Sequence, residues 1–176
     1  VCSFLKVIKE FYITDDGLCE SNDSMQNTGE HRPIISQPPL LSYFILEFHK
    51  YTKNFDVITE WYPLLKKNIE WWEKNRLDKE IGLFVLDDTI ENICTELDIG
   101  RSERFYIDYS SPDYKILDSS TRRKVIPVDL NSQMADLYQN VGVMAILVED
   151  FEYNVHCFSQ ADTLQNRVQE FLWDED

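Results

Sequence analysis

The spacing of the large apolar side chains constrains this chain more than any other feature. Ile58, Trp61, Leu65, Ile69 and Trp72 recur at intervals of three and four, the period that aligns residues on one face of an α-helix. The spacing predicts a helix over 56–75, opened by Asp56, with Pro63 kinking it or starting it afresh. Leu41, Phe44, Ile45, Phe48 and Tyr51 predict the buried stripe of a helix over 37–53, with Ser36 as its cap and Pro38 and Pro39 in its first turn, where no N–H is needed. Residues 51–56 then form the tight bend of a helical hairpin.

The same period returns in Met134, Leu137, Tyr138, Val141, Ala145 and Val148, and in Leu164, Val168, Phe171 and Leu172. These predict helices over about 132–152 and 159–173, the second capped by Ser159, and hence a second hairpin. Phe4, Val7, Ile8 and Phe11 predict a short helix over about 3–13, followed by a loop of turn-forming residues over 15–33. Residues 76–131 mix Gly82, Gly100, Pro112 and Pro127 with short apolar runs at 81–86 and 125–128, which predicts loops with a few short strands. The pattern lacks both βαβ alternation and strand meanders. It predicts a mainly α fold, helical hairpins with long irregular loops, as one region over 1–176 in a helical repeat or toroid. The two hairpins share no clean period, so a tetratricopeptide-type array is unsupported.

Charge narrows the function classes. The formal charge is −15 and no basic cluster exceeds Arg122-Arg123-Lys124, so a phosphate backbone meets no continuous cationic surface and nucleic-acid binding is disfavoured. No run reaches the roughly 20 apolar residues of a membrane span; Val141 to Val148 is followed by Glu149 and Asp150. A signal peptide is expected to be absent or removed, and the compartment stays open. Cys2, Cys19, Cys94 and Cys157 are too scattered for a zinc or dithiol centre, and disulfides and buried thiols both remain open. His31, His49 and His156 suit core or surface roles better than catalysis, and the glycines never cluster into a phosphate-cradling loop. We expect no metal and no cofactor.

Carboxylates and aromatics concentrate in the loop region: Asp87, Asp88, Glu91, Glu96, Asp98, Asp108, Asp113 and Asp129, with Tyr106, Tyr109 and Tyr114 among them. Glycoside hydrolysis needs one protonated carboxyl for the leaving oxygen and one carboxylate to activate water, while aromatics pack on the sugar ring. On composition alone, solvated loop acids of an acidic protein are the better description.

Two motifs go further. Ser36-Gln37-Pro38-Pro39-Leu40-Leu41 and Val125-Ile126-Pro127-Val128-Asp129-Leu130-Asn131 resemble, in order and separation, segments that introduce helices in the α,α-trehalase family of glycoside hydrolases. Tyr62 to Lys67 with Glu70-Trp71-Trp72, and Phe171 to Asp174, are similar to further motifs of that family. The resemblance spans nearly the whole chain. It implies part of an (α/α)6 toroid and an inverting, metal-independent hydrolysis of trehalose to two glucose molecules. It places Asp108 on the general-acid position, Ser36 and Gln37 on sugar contacts, and Glu91 near a further contact triplet. In the Val125 to Asn131 segment, Pro127 is expected to rigidify the helix start and Asp129 or Asn131 to cap it.

The chain also departs from that family's pattern. Around Asp108, Tyr106, Ile107 and Pro112 replace Gly, Trp and Arg, although Ser110 and Ser111 are kept; Ile35 stands where the family has a contact Arg. Each lost guanidinium forfeits charge-assisted hydrogen bonds, about 1.5–3 kcal/mol apiece. The family's opening Arg-rich signature and its Glu base would fall outside Val1 to Asp176, so the isolated chain is expected to be inactive. The alternative is a non-catalytic helical module that binds sugar or a partner. An incomplete toroid would also expose an apolar stripe near Phe44, Trp61 or Trp72, which predicts self-association.

Overall fold

In the computed structural model, residues 13–15, 17–19, 39–87 and 124–172 are described. They are mainly helical: α1 (Leu41–Thr52), α2 (Asp56–Asn75), α3 (Val128–Leu147) and α4 (Phe151–Leu172), with two-residue strands β1 (Leu77–Asp78), β2 (Leu83–Phe84), β3 (Leu86–Asp87) and β4 (Lys124–Val125) between the two helix pairs. β1 and β2 form an antiparallel hairpin with Leu77 opposite Phe84, and β3 pairs antiparallel with β4 with Leu86 opposite Val125.

The helices form two hairpins packed side by side as an arc of an α/α toroid. α1 and α2 are antiparallel through the short turn at Lys53–Phe55. Side-chain bonds from Tyr62 to Asp150 and from Tyr138 to Glu73 show that the second hairpin runs back along α2. α1 and α3 therefore point the same way, joined by the Asn140 amide, which donates to the Ser42 hydroxyl at 3.3 Å. The core lies between the layers, where Ile45, Ile58, Trp61, Leu65, Ile69 and Trp72 meet Met134, Leu137, Val141 and Met144. Burying each large side chain contributes about 1.5–3 kcal/mol. Trp71 and Trp72 meet edge to face at 5.3 Å, and Trp72 meets Phe84 at 6.4 Å.

Two glycines mark close approaches. Gly17 has φ +95°, and a Cβ there would stand 2.3 Å from the Lys67 carbonyl oxygen; its own carbonyl accepts the buried Asn68 amide at 2.7 Å. This docks the turn around residues 13–19, with Ile13 bridged to Cys19, onto α2. Gly142 lets α3 approach α4, since a Cβ there would meet the Cys157 Cβ at 3.2 Å and the Phe158 ring at 3.3 Å.

Several expectations change. The predicted helix over 3–13 lies outside the described residues, apart from bridged Ile13. α1 begins at Leu41, with Leu40 at the cap position and no side-chain cap bond, so Pro39 precedes the first turn; Ser36 and Pro38 lie outside the described residues. Its buried face is Ser42, Ile45 and Leu46, while Phe44 and Tyr51 are 58 % and 92 % exposed, because α2 and α3 cover only one flank of α1. Pro63 neither starts nor ends a helix: α2 runs through it on the exposed face, where water can satisfy the Thr59 carbonyl that a proline cannot reach.

α3 starts at Val128, four residues before the predicted 132, because Pro127 sits at its cap with an extended backbone. α4 starts at Phe151 and passes through Ser159 without a break. Its cap is Asp150, whose Oδ1 accepts the Tyr153 N–H at 3.3 Å. Trp61 and Trp72 are buried, so the unpartnered stripe includes Phe44 but neither indole.

Candidate functional site

The segment Val125 to Asn131 builds one end of the helical layer. β4 leads through Ile126 into Pro127, and α3 follows at once. Neither expected cap is made. Asp129 is exposed in the first turn, and Asn131, wholly buried, does something else. Its Oδ1 accepts the Phe84 N–H at 2.7 Å, and its Nδ2 donates to the Phe84 carbonyl at 2.9 Å and to the Pro127 carbonyl at 2.9 Å. A carboxamide is the side chain that can donate and accept at once, so Asn131 reads both main-chain groups of Phe84 like a neighbouring strand. Next to it, buried Arg76 lies over the Trp71 ring at 5.5 Å, and its carbonyl accepts the Val85 N–H at 2.8 Å.

This clamp decides where the loop region attaches. Residues 88–123 depart from β3 and return on β4, and those two strands are hydrogen-bonded to each other beside the start of α3. Glu91 and Asp108 belong to this excursion, and both lie outside the described residues. Ser36 and Gln37 also lie outside the described residues, five and four positions before Leu41, where α1 starts. The described residues contain none of the four candidates' side chains.

A second polar cluster, unanticipated from the sequence, lies between α2 and the α3–α4 hairpin. The Asp150 Oδ2 accepts the Tyr62 hydroxyl at 2.7 Å and the Lys66 ammonium at 2.9 Å, and that ammonium also stands 4.0 Å from the centre of the Tyr153 ring. The Lys66 and Tyr62 hydrogen bonds hold the Asp150 carboxyl below the usual carboxylate range. Two helical turns along α2 from Lys66, the Tyr138 hydroxyl donates to Glu73 at 2.6 Å, with the His156 Nε2 at 3.9 Å from the same carboxylate oxygen. Burial, with the carboxylates nearby, raises the Tyr62, Tyr138 and Tyr153 hydroxyls well above their ordinary value.

Burial also pushes the Cys157 thiol up to about 12. A protonated thiol and three protonated phenols offer no activated nucleophile near neutral pH, and the bonds of the cluster join α2 to the α3–α4 hairpin. Its signal was the spacing of Tyr62, Lys66 and Glu73 along α2, hidden because charged residues at helical intervals usually face water. His49 is structural too: its Nδ1 lies 2.9 Å from the Asn54 carbonyl, which can only accept, at the α1–α2 turn. Among the described residues no helix is long and apolar enough to cross a membrane, and no three His, Cys, Asp or Glu side chains are grouped to hold a metal ion.

Residues 10–176 match the family described as the mannosylglycerate hydrolase MGH1-like glycoside hydrolase domain. The chain is also 22 % identical over 181 residues to a trehalase of Bombyx mori, an alignment covering 80 % of this chain and 31 % of that protein. It thus spans about a third of the length of that curated relative. The glycoside-hydrolase expectation agrees with these matches, which name two sugar chemistries and so support the broader class. The chain belongs to the mannosylglycerate hydrolase MGH1-like glycoside hydrolase domain family.

Proposed function

We propose that this chain supplies the acid side of a glycoside-hydrolase site for a small α-linked sugar, with α,α-trehalose as the first substrate to test and mannosylglycerate as the second. The observation that carries this reading is the Asn131 clamp. It fixes the Val125 to Asn131 segment, one of the two motifs that resemble the α,α-trehalase family, to β2 at the start of α3, which supports reading that segment as the family's helix-introducing motif. In this reading Asp108 protonates the leaving glycosidic oxygen, while Ser36, Gln37 and Glu91 bind sugar hydroxyls. Inversion then requires a second carboxylate about 6.5–9.5 Å away to activate water. The trehalase resemblance assigns that role to a Glu that is not among these 176 residues.

A second reading, a sugar-binding module without turnover, is favoured by Tyr106, Ile107 and Pro112 around Asp108 and by Ile35 beside Ser36. Calorimetry with trehalose and with mannosylglycerate, paired with assays for released sugar, separates the two. Binding without release by any product containing this chain supports the module. Release that Asp108→Asn lowers by at least about a hundredfold, the scale of a lost general acid, supports the enzyme. Unchanged release by Asp108→Asn removes that residue from the mechanism.

A further inference from the structure

We infer that Asn131 is a positioning residue for the hydrolysis proposed for Asp108, holding both ends of the 88–123 segment to each other and to α3; this rests on that proposed reading of Asp108. The segment leaves the described residues from β3 and re-enters them on β4, and Leu86 stands opposite Val125 where the two strands pair. Asn131 grips the chain just outside that pair on both sides. Its carboxamide exchanges two hydrogen bonds with Phe84, two residues before Leu86, and donates a third to the carbonyl of Pro127, two residues after Val125. One side chain of α3 thus fixes the outgoing and the returning strand together.

The surroundings leave that grip little play. Asn131 and Phe84 are both buried, and the Phe84 ring meets Trp72 edge to face. The next main-chain donor, the Val85 N–H, is bonded to the Arg76 carbonyl at 2.8 Å, which ties the outgoing strand to the end of α2 as well. A buried carboxamide with three main-chain partners satisfies all of them in one orientation, so the strands take one position relative to α3. β3 and β4 are only two residues long, and their own ladder contributes few bonds beside these three. The consequence for hydrolysis is in rate more than in substrate binding. A general acid must stand within hydrogen-bond reach of the leaving oxygen, and a misplacement of about 1 Å costs about a hundredfold in rate. Ser36 and Gln37 precede α1 and lie outside the 88–123 segment, so the sugar contacts read for them do not pass through Asn131.

The test measures sugar release from trehalose and from mannosylglycerate by a product containing this chain, and by its Asn131→Asp, Asn131→Leu, Asp108→Asn and Asn154→Leu variants, at a temperature where circular dichroism shows each folded. Ionised aspartate at 131 still accepts from the Phe84 N–H but donates to neither carbonyl, and leucine makes none of the three bonds. Asn154 is the control, a carboxamide that donates to the Gly142 carbonyl at 3.0 Å toward the other end of α3. Asn131→Asp should lower kcat about tenfold or more with KM changed less than about threefold, and should move the alkaline limb of the kcat profile, which reports loss of the protonated acid. Asn154→Leu should do neither. Should Asn131→Leu fail to fold, Asn131→Asp carries the measurement alone. Activity lost in Asp108→Asn but unchanged in Asn131→Asp overturns the positioning role and leaves the reading of Asp108 standing. A fall in kcat matched by Asn154→Leu, or one that leaves the alkaline limb in place, marks general loosening and overturns it too. Unchanged release by Asp108→Asn, or no release by the unsubstituted product, removes the reading of Asp108 and the positioning role with it.

Discussion

Asn131 illustrates how one side chain can tie a loop region to a helix. Its carboxamide makes three hydrogen bonds to main-chain atoms of Phe84 and Pro127. Asn131→Leu, close in volume, should cost about 3 kcal/mol or more, because the Phe84 N–H and carbonyl then lose their partner in a buried setting. Urea denaturation measures this, and a loss under 1 kcal/mol would show that the strand is held by other means. Asp150 combines a helix cap with the Tyr62 and Lys66 bonds. Its folded pKa lies below the unfolded value near 3.9, so its stabilisation is complete above that value and disappears as pH falls through the folded one. The stability gap between the unsubstituted chain and Asp150→Asn should therefore be widest near neutral pH and shrink below about pH 4. A gap independent of pH would mean that the carboxylate charge contributes nothing.

At the scale of elements, both hairpins turn through a left-handed residue that is not glycine, Lys53 at φ 56° and Glu149 at φ 64°. An L side chain in that region costs about 1 kcal/mol, so Glu149→Gly should stabilise the α3–α4 hairpin by up to about that amount in thermal or chemical denaturation. Destabilisation would show that the Glu149 side chain makes a contact worth more than the strain. The boundaries of α2 matched its periodicity at both ends because its apolar stripe runs from Ile58 to Trp72 without interruption. Those of α3 and α4 did not. The start of α4 depends on Asp150, whose capping role is invisible beside an equally plausible cap at Ser159, which the structure places on an exposed mid-helix position. In α1, Phe44 and Tyr51 fit the apolar pattern and still face outward, since periodicity identifies an apolar face without stating what covers it.

For the molecule as a whole, Cys157 reports on the integrity of the packed layer. Its thiol is buried beside Gly142 and its pKa is pushed up to about 12, so both access and ionisation are denied in the native state. Alkylation of the peptide containing Cys157, followed by mass spectrometry at pH 8, should proceed only as fast as the helices open, and should accelerate in urea alongside the loss of helicity. Rapid labelling of native protein would reveal a local opening between α3 and α4. The helical class, the two hairpins and the glycoside-hydrolase resemblance were all present in the linear sequence, because helix period and contiguous motifs such as Val125 to Asn131 are local properties. What only tertiary structure decided was partnership: that Asn131 holds Phe84 instead of capping α3, that Tyr62 and Lys66 meet Asp150, and that one flank of α1 is left open. Those outcomes join residues tens of positions apart, and a hydrogen bond or a covered face exists only after chain folding has brought its two halves together.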